Sequence, residues 1–235
     1  MLHIYKSGSR DYRNNERVFT ASGIIENKNP DCFFANKGSE WDAYRSVINE
    51  VVFHDKAALK PTSFEGWFAG CSALSTFDAD GSINTTAATS MKSMFEGCTS
   101  LTSLNLKKWN VSGVTNMDNM FKGCSQLEKI YASSFDVSAV SSSTDMFAGC
   151  ISIVGGFNTH YDAGHIDKEY ACIDLPARPG YFEGDVTADT EYRDIMVVNI
   201  TSSNGNPGRI YYYDGIFYTT RSEAVTAFLN ATSQP

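Results

Sequence analysis

A 26-residue repeat limits the possible folds of this chain more than any other feature of its sequence. The phrase Met-Phe-Glu-Gly-Cys at 94–98 returns as Met-Phe-Lys-Gly-Cys at 120–124. Aligned on the Gly-Cys pair, four copies follow one another at intervals of 27, 26 and 26 residues. These copies end at Cys71, Cys98, Cys124 and Cys150. Such a period predicts that each copy is one structural unit, which buries its apolar face by stacking on its neighbours.

Each copy continues into an apolar pattern with the spacing Leu-x-x-Leu-x-Leu. Leu101, Leu104 and Leu106 are the clearest case, and Ile48, Val51 and Phe53 repeat the spacing without a Gly-Cys pair. A period of 20–29 residues with this spacing is typical of leucine-rich repeats, in which each coil supplies one short strand. We therefore expect an α/β fold, a leucine-rich repeat solenoid of about five coils that begins near residue 41 and fades after residue 153.

The remainder of each coil is expected to contain a short helix. In the stretch Val114–Cys124, Met117, Met120 and Phe121 have the spacing i, i+3, i+4 of one helical face. The glycine before each repeat cysteine would end that helix. Each coil is thus expected to run helix, turn, strand and loop, with the strands in one parallel ladder.

The repeat cysteines are interpreted as small buried apolar residues that lie one step before the strand. Disulfides between neighbouring coils are the alternative, although parallel side chains seldom meet the required geometry. A zinc site is less favoured, because the ligand spacing Cys-x₂₋₄-Cys is absent.

The repeat also resembles a known family. The stretch MFEGCTSLTSLNLKKWNVSGVTNM at 94–117 is similar to the repeat of BspA-like leucine-rich repeat surface proteins of bacteria, whose usual form is close to MFxGCxSLxxLDLSxFDTSxVTNM. Residues 47–74 resemble the segment before the first full repeat in that family, and HIDKEYACIDLPARPGYF at 165–182 resembles its closing segment. The resemblance covers about residues 1–183. It implies a non-enzymatic binding or adhesion protein on the cell surface.

Four regions are expected along the chain. They are an N-terminal cap at 1–47, leucine-rich repeats at 48–158, a closing cap at 159–184 and a different C-terminal segment at 185–235. Caps are needed because an open strand ladder exposes unpaired backbone groups and apolar surface.

The C-terminal segment has signals of its own. Residues 193–200 are a strand candidate, and Asp214-Gly215 between two aromatic runs predicts a hairpin with a type I′ turn. Ser222 is the expected N-cap of a helix over residues 223–230. We expect this segment either to dock on the repeats or to assemble with another chain.

Charge and hydropathy exclude several kinds of partner. The net charge is −8 and the basic residues are scattered, whereas nucleic-acid binding needs a basic patch. No apolar run approaches the roughly 20 residues that span a bilayer. The N-terminus lacks the pattern of a signal peptide, so the chain is either not exported by that route or already trimmed.

Two polar stretches are candidate metal sites. The stretch Asp78-Ala-Asp80-Gly81-Ser-Ile83 is similar to a calcium loop but lacks the other acidic ligands of an EF-hand, and a strand-leaving turn is the alternative. His160, Asp162, His165 and Asp167 cluster in sequence without an established metal-binding spacing, which favours a polar loop. Without a nucleophile motif or phosphate loop, we expect no enzyme and no cofactor. A hydrolase built on the 160–167 loop is the remaining enzymatic alternative.

The outward strand positions form a candidate partner-binding face, and a purely solvated scaffold is its alternative. That face consists of Glu50, Asp78, Ser103, Asn105, Lys129 and Tyr131. We expect an extracellular module that binds a protein partner, from a host or another subunit. A structural or assembly component of a phage virion, attached through residues 185–235, is the alternative.

Overall fold

The computed structural model describes residues 2–5, 18–20, 42–53, 60–78, 83–133, 135–175, 178–188, 196–201 and 207–232. Its strands are β1 (Leu2–Tyr5), β2 (Val18–Thr20), β3 (Glu50–Phe53), β4 (Thr76–Phe77), β5 (Ser103–Asn105), β6 (Lys129–Tyr131), β7 (Phe182–Glu183), β8 (Asp185–Ala188), β9 (Met196–Thr201), β10 (Pro207–Tyr213) and β11 (Ile216–Tyr218). Helix α1 covers Arg221–Thr232, and short 3₁₀ helices cover Asp42–Val47 and Lys168–Tyr170.

The strands form three sheets. The first has the order β2-β1-β3-β4 and the second β5-β6-β7, and all pairs in both are parallel. The third, β11-β10-β9-β8, is antiparallel throughout. In the second sheet, Leu104 pairs with Ile130, so equivalent residues of two successive copies lie side by side. Ile130 pairs in turn with Phe182 of the closing segment.

The expected fold class, a leucine-rich repeat solenoid of about five coils with one parallel ladder and short helices, is wrong. The structure has separate parallel and antiparallel sheets instead of a single ladder. The stretch Val114–Cys124, expected to be helical, contains a parallel bridge residue, Asn116, followed by turns at 118–123. Helix α1 is the α-helix among the described residues. Asn119 has φ = 56° and Gly123 has φ = 74°, and these left-handed conformations are incompatible with a continuing α-helix.

Two departures from the repeat occur where the expected ladder is interrupted. Between β4 and β5 the interval is 27 residues instead of 26, and Phe77 stands where the next copy has Leu104. The Phe77 ring points into the core and packs against those of Phe68 and Phe95, each at a centroid distance of 5.1 Å. Strand β4 pairs with β3, and β5 begins the second sheet.

The last expected coil does not supply the next strand of the ladder. Ile153 is buried as predicted, but Val154 forms an antiparallel bridge with His160. Strand β7, from the closing segment at 159–184, pairs with β6 in its place. The chain therefore completes this sheet with a segment that lies outside the repeat.

The core is built from the repeated phrase. Phe68, Phe95, Phe121 and Phe147 are fully buried and stack with centroid distances of 5.6, 6.0 and 5.4 Å. Backbone hydrogen bonds join the copies, as when Phe95 N donates to Met120 O at 2.9 Å. The predicted inward positions of the Met, Phe, Cys and Leu residues are confirmed.

The four repeat cysteines are free and buried, as interpreted from their spacing. The Cys124 thiol donates to the Phe95 carbonyl at 3.1 Å, and the Cys98 and Cys150 thiols make the same bond one copy away. Burial raises the pKa of the Cys124 thiol to about 12. These thiols are structural, and the alternative of disulfides between copies is wrong for them. Cys32 lies outside the described residues.

A buried carboxylate organises the closing segment. Asp174 is 1% exposed and accepts hydrogen bonds from Phe157 N at 2.7 Å, Thr159 N at 3.0 Å, Thr159 Oγ1 at 2.6 Å and Gly180 N at 3.2 Å. The packing is tight, because a Cβ atom added to Gly155 would lie 2.2 Å from the Gly180 carbonyl oxygen. Asp174 thus holds two loops together at the end of the repeats.

The expected strand, hairpin and helix in the C-terminal segment are confirmed. Asp214 and Gly215 have φ = 46° and 83°, the positive values that a type I′ turn requires. Helix α1 begins earlier than expected, because Thr220 instead of Ser222 caps it. Glu223 N donates to Thr220 Oγ1, and Thr220 N donates to Glu223 Oε2, so the two residues form a capping box.

The C-terminal segment packs against the closing segment. Ile173 and Leu175 form a small apolar cluster with Val198, and Ile210 contacts it. The Arg178 guanidinium also lies 5.6 Å from the centre of the Phe217 ring. Residues 185–235 were expected to dock on the repeats or to assemble with another chain, and these contacts are instead with the closing segment.

Candidate binding groove

A groove of about 340 Å³ lies on the outward side of β3, β4, β5 and β6. It crosses the boundary between the two parallel sheets. We call it the strand groove. Its lining residues are Glu50, Val51, Thr76, Phe77, Asp78, Ser103, Asn105 and Tyr131.

The alternation of side chains along each strand determines which residues face this groove. In β5, Leu104 is buried while Ser103 and Asn105 are exposed, and in β6 Ile130 is buried while Tyr131 is partly exposed. Successive side chains of a strand point to opposite faces, so the apolar residues enter the core and the polar ones line the groove. The groove is therefore a direct product of the repeat pattern.

One end of the strand groove is acidic. Glu50 on β3 pairs in register with Thr76 on β4, and Asp78 follows two residues later on the same face. With strands about 4.8 Å apart and a rise of about 3.3 Å per residue, the Cα atoms of Glu50 and Asp78 are about 8 Å apart. The Glu50 carboxylate has no ion-pair partner among the residues that the structure describes.

The other end is aromatic and carries a cation. Tyr131 pairs in register with Asn105. The ammonium of Lys107 lies 5.9 Å from the centre of the Tyr131 ring, within the range of a cation–π interaction. The groove thus combines two carboxylates, hydroxyl and amide groups and one aromatic ring.

The structure brings together five of the six residues of the predicted face. Glu50, Asp78, Ser103, Asn105 and Tyr131 all line the groove. The sixth, Lys129, lies outside the lining and forms an ion pair with Glu183 at 3.0 Å. Sequence reasoning did not place the buried residues Val51 and Phe77 in the site, because their pattern marks them as core.

The candidate calcium loop is only partly described. Asp78 lies on the rim of the strand groove, whereas Asp80 and Gly81 lie outside the described residues.

In the 160–167 stretch, the polar side chains support the loop. Asp162 accepts a hydrogen bond from Gly164 N at 2.8 Å, and Asp167 accepts one from Asp145 N at 2.9 Å. The His165 ring stacks on that of Tyr170 at 4.3 Å. Within the described ranges, no group of three or more His, Cys, Asp or Glu side chains is placed to hold a metal ion. These contacts favour the polar-loop interpretation.

Comparison with known proteins gives one similarity. The family model described as "Mycoplasma protein of unknown function, DUF285" matches residues 62–169, which contain the four Gly-Cys copies and part of the closing segment. No curated protein and no solved structure matches the chain significantly. Among the described residues, no helix has the length and hydropathy to cross a membrane.

Proposed function

We propose that this chain is a non-enzymatic binding module, which holds a protein partner in the strand groove and is displayed on a bacterial surface. The observation that carries the proposal is the grouping of Glu50, Asp78, Ser103, Asn105 and Tyr131 around one concave site. These side chains come from three strands and from the residue that follows a fourth, so the fold places groups that are far apart in sequence beside one another.

The chemistry of the groove supports binding of a protein partner. Its volume of about 340 Å³ is at the lower end of the range for ligand pockets, which suits one or two protruding side chains. Tyrosine is frequent at protein interfaces because it combines a large apolar surface with a hydroxyl group. The similarity of the repeat to BspA-like surface proteins supports an extracellular location.

A random library of 12-residue peptides, selected on the immobilised chain, tests the proposal. Selected peptides should lose binding at least tenfold with Ser103→Trp, because a large side chain at this exposed position fills the groove. Glu65→Trp is the matched control, since Glu65 is exposed and lies outside the lining. Peptides that bind wild type and Ser103→Trp equally, or no enrichment at all, would overturn the proposed site.

Antibody labelling of intact cells tests the proposed display on the cell surface. Antibodies against the folded chain should label intact cells of the source organism, and brief protease treatment of those cells should remove the signal. Labelling only after the cells are opened would contradict surface display.

The second candidate is a structural or assembly component of a phage virion, which attaches through residues 185–235. It is favoured by three exposed apolar side chains, Ile216, Phe217 and Leu229, which are 55%, 37% and 47% exposed. Sedimentation tests it: self-association should be present in the wild-type chain and lost with Ile216→Ser plus Leu229→Ser. A wild-type chain that stays monomeric and is absent from purified particles would exclude it.

A further inference from the structure

We propose that the strand groove recognises a basic side chain of its protein partner, with arginine preferred over lysine. This inference rests on the proposed function and specifies the chemistry of the partner. It is carried by the placement of two carboxylates at one end of the groove and an aromatic ring at the other.

The acidic end has the geometry for one cation. Glu50 lies on β3 and Asp78 directly follows the adjacent parallel strand β4, with Cα atoms about 8 Å apart, and both residues line the same cavity. A guanidinium group placed between them would donate a charge-assisted hydrogen bond to each carboxylate. Such bonds are shorter and stronger than those between neutral groups. The same two carboxylates repel an acidic partner.

The aromatic end shows how a cation is held at this surface. The chain's own Lys107 lies 5.9 Å from the centre of the Tyr131 ring. Lys107 therefore takes the cation–π position on this ring, which leaves the acidic end for a cation of the partner. Arginine is favoured there over lysine, because its planar guanidinium offers a fork of donors that matches carboxylate geometry, whereas an ammonium group is a point charge.

Polar side chains between the two ends of the groove supply further hydrogen-bond acceptors for a guanidinium group. Asn105 and Ser103 stand on β5 between the acidic strands and Tyr131, and both are exposed. A guanidinium carries five N–H donors, and the carbonyl oxygen of Asn105 and the hydroxyl oxygens of Ser103 and Thr76 are acceptors.

The experiment uses the peptides selected from the 12-residue library, in three versions each: the original, one with each arginine replaced by lysine, and one with each arginine replaced by neutral citrulline. Binding is measured on the full chain, on Glu50→Gln plus Asp78→Asn, and on Glu65→Gln plus Glu128→Gln. The last variant is matched, because it removes the same charge from two exposed residues outside the groove lining.

We expect at least tenfold weaker binding of the citrulline peptides, and the same loss with Glu50→Gln plus Asp78→Asn. The lysine peptides should be intermediate, and the matched variant should bind as wild type does. Higher salt should weaken peptide binding by the wild-type chain, since the ion pair between the groove carboxylates and the peptide's arginine is close to solvent.

The measurements distinguish a failure of the basic-side-chain inference from a failure of the proposed function. Peptides that lose binding with Ser103→Trp but bind equally in the arginine and citrulline versions would overturn the basic-side-chain inference and leave the groove as a binding site. Peptides that are indifferent to Ser103→Trp would overturn both proposals. Selected peptides rich in acidic residues would also contradict the inference.

Discussion

Removing the buried carboxylate of Asp174 should destabilise the closing segment strongly. Asp174→Ala deletes four accepted hydrogen bonds, from Phe157 N, Thr159 N, Thr159 Oγ1 and Gly180 N. Hydrogen bonds to a charged group contribute about 1.5–3 kcal/mol each to stability. The full sum does not apply, because Phe157 and Thr159 are partly exposed and water replaces their lost partner.

The buried amide of Gly180 determines the size of the stability loss. Without the Asp174 carboxylate this amide is a buried donor with no acceptor, which lowers the free energy of unfolding by about 1–3 kcal/mol. Adding a discounted share for the three other bonds gives a loss of about 4 kcal/mol in the free energy of unfolding. For a chain of this size each kcal/mol lowers the melting temperature by about 2–4 °C, so a decrease of roughly 12 °C is expected.

Urea unfolding and thermal unfolding, both followed by circular dichroism, measure this loss. Asp162→Ala is the matched control, because the exposed Asp162 carboxylate accepts one local hydrogen bond from Gly164 N. It should change stability by less than about 1 kcal/mol. A loss for Asp174→Ala that is no larger than for the control would refute the assigned role of the carboxylate.

Three further perturbations test the repeat and the C-terminal helix. Because burial raises the pKa of the Cys124 thiol to about 12, this thiol should resist iodoacetamide at pH 8 until the chain unfolds. Peptide mapping that shows rapid alkylation of Cys124 in the folded chain would contradict this. Gly123 has φ = 74°, so Gly123→Ala should lower the free energy of unfolding by about 1–2 kcal/mol. Gly156→Ala should lower it less, because a Cβ atom added there meets only ordinary contacts, the nearest at 3.5 Å. Equal urea midpoints for the two variants would count against the left-handed turn. Hydrogen bonding with Thr220 lowers the pKa of Glu223 below its usual 4.5. The stability that this carboxylate contributes is therefore present above pH 4.5 and is lost as the pH falls through the lower pKa of the folded state. An acid titration by circular dichroism should show the loss of helix in wild type but not in Glu223→Gln.

The inward half of the repeat was predictable from sequence. The period identified Phe95, Phe121, Cys98 and Cys124 as equivalent core residues, and all four are fully buried. Periodicity is reliable here because burial depends on the position within each copy, whatever the local backbone conformation. The Asp214-Gly215 turn was equally predictable, since few residues besides these accept two successive positive φ values.

The expected helices failed because the spacing of Met117, Met120 and Phe121 does not distinguish a helix from a series of tight turns. Both arrangements bring the three side chains to the same side. The signal against a helix is Asn119, and Asp145 in the next copy, since Asn and Asp accept the left-handed conformation more readily than other residues. Their φ values of 56° and 59° interrupt the helical path in each copy.

The single ladder failed for reasons that depend on tertiary packing. Phe77 is apolar like Leu104, so the pattern treats them alike, yet their strands, β4 and β5, belong to different sheets. Similarly, Phe182 belongs to no repeat, but it occupies the register position beside Ile130. The residues of the binding face were identified from alternation, whereas the concavity that makes them a groove depends on how the two sheets meet.

The account's central claim is that partner recognition takes place in the strand groove, and a titration followed by nuclear magnetic resonance tests it most directly. An isotope-labelled chain receives increasing amounts of a selected arginine peptide while amide and side-chain signals are recorded. The account predicts saturable shifts at Ser103, Asn105 and Tyr131, with signals of α1 unchanged. Shifts confined to the C-terminal segment, or spread evenly over the chain, would contradict it.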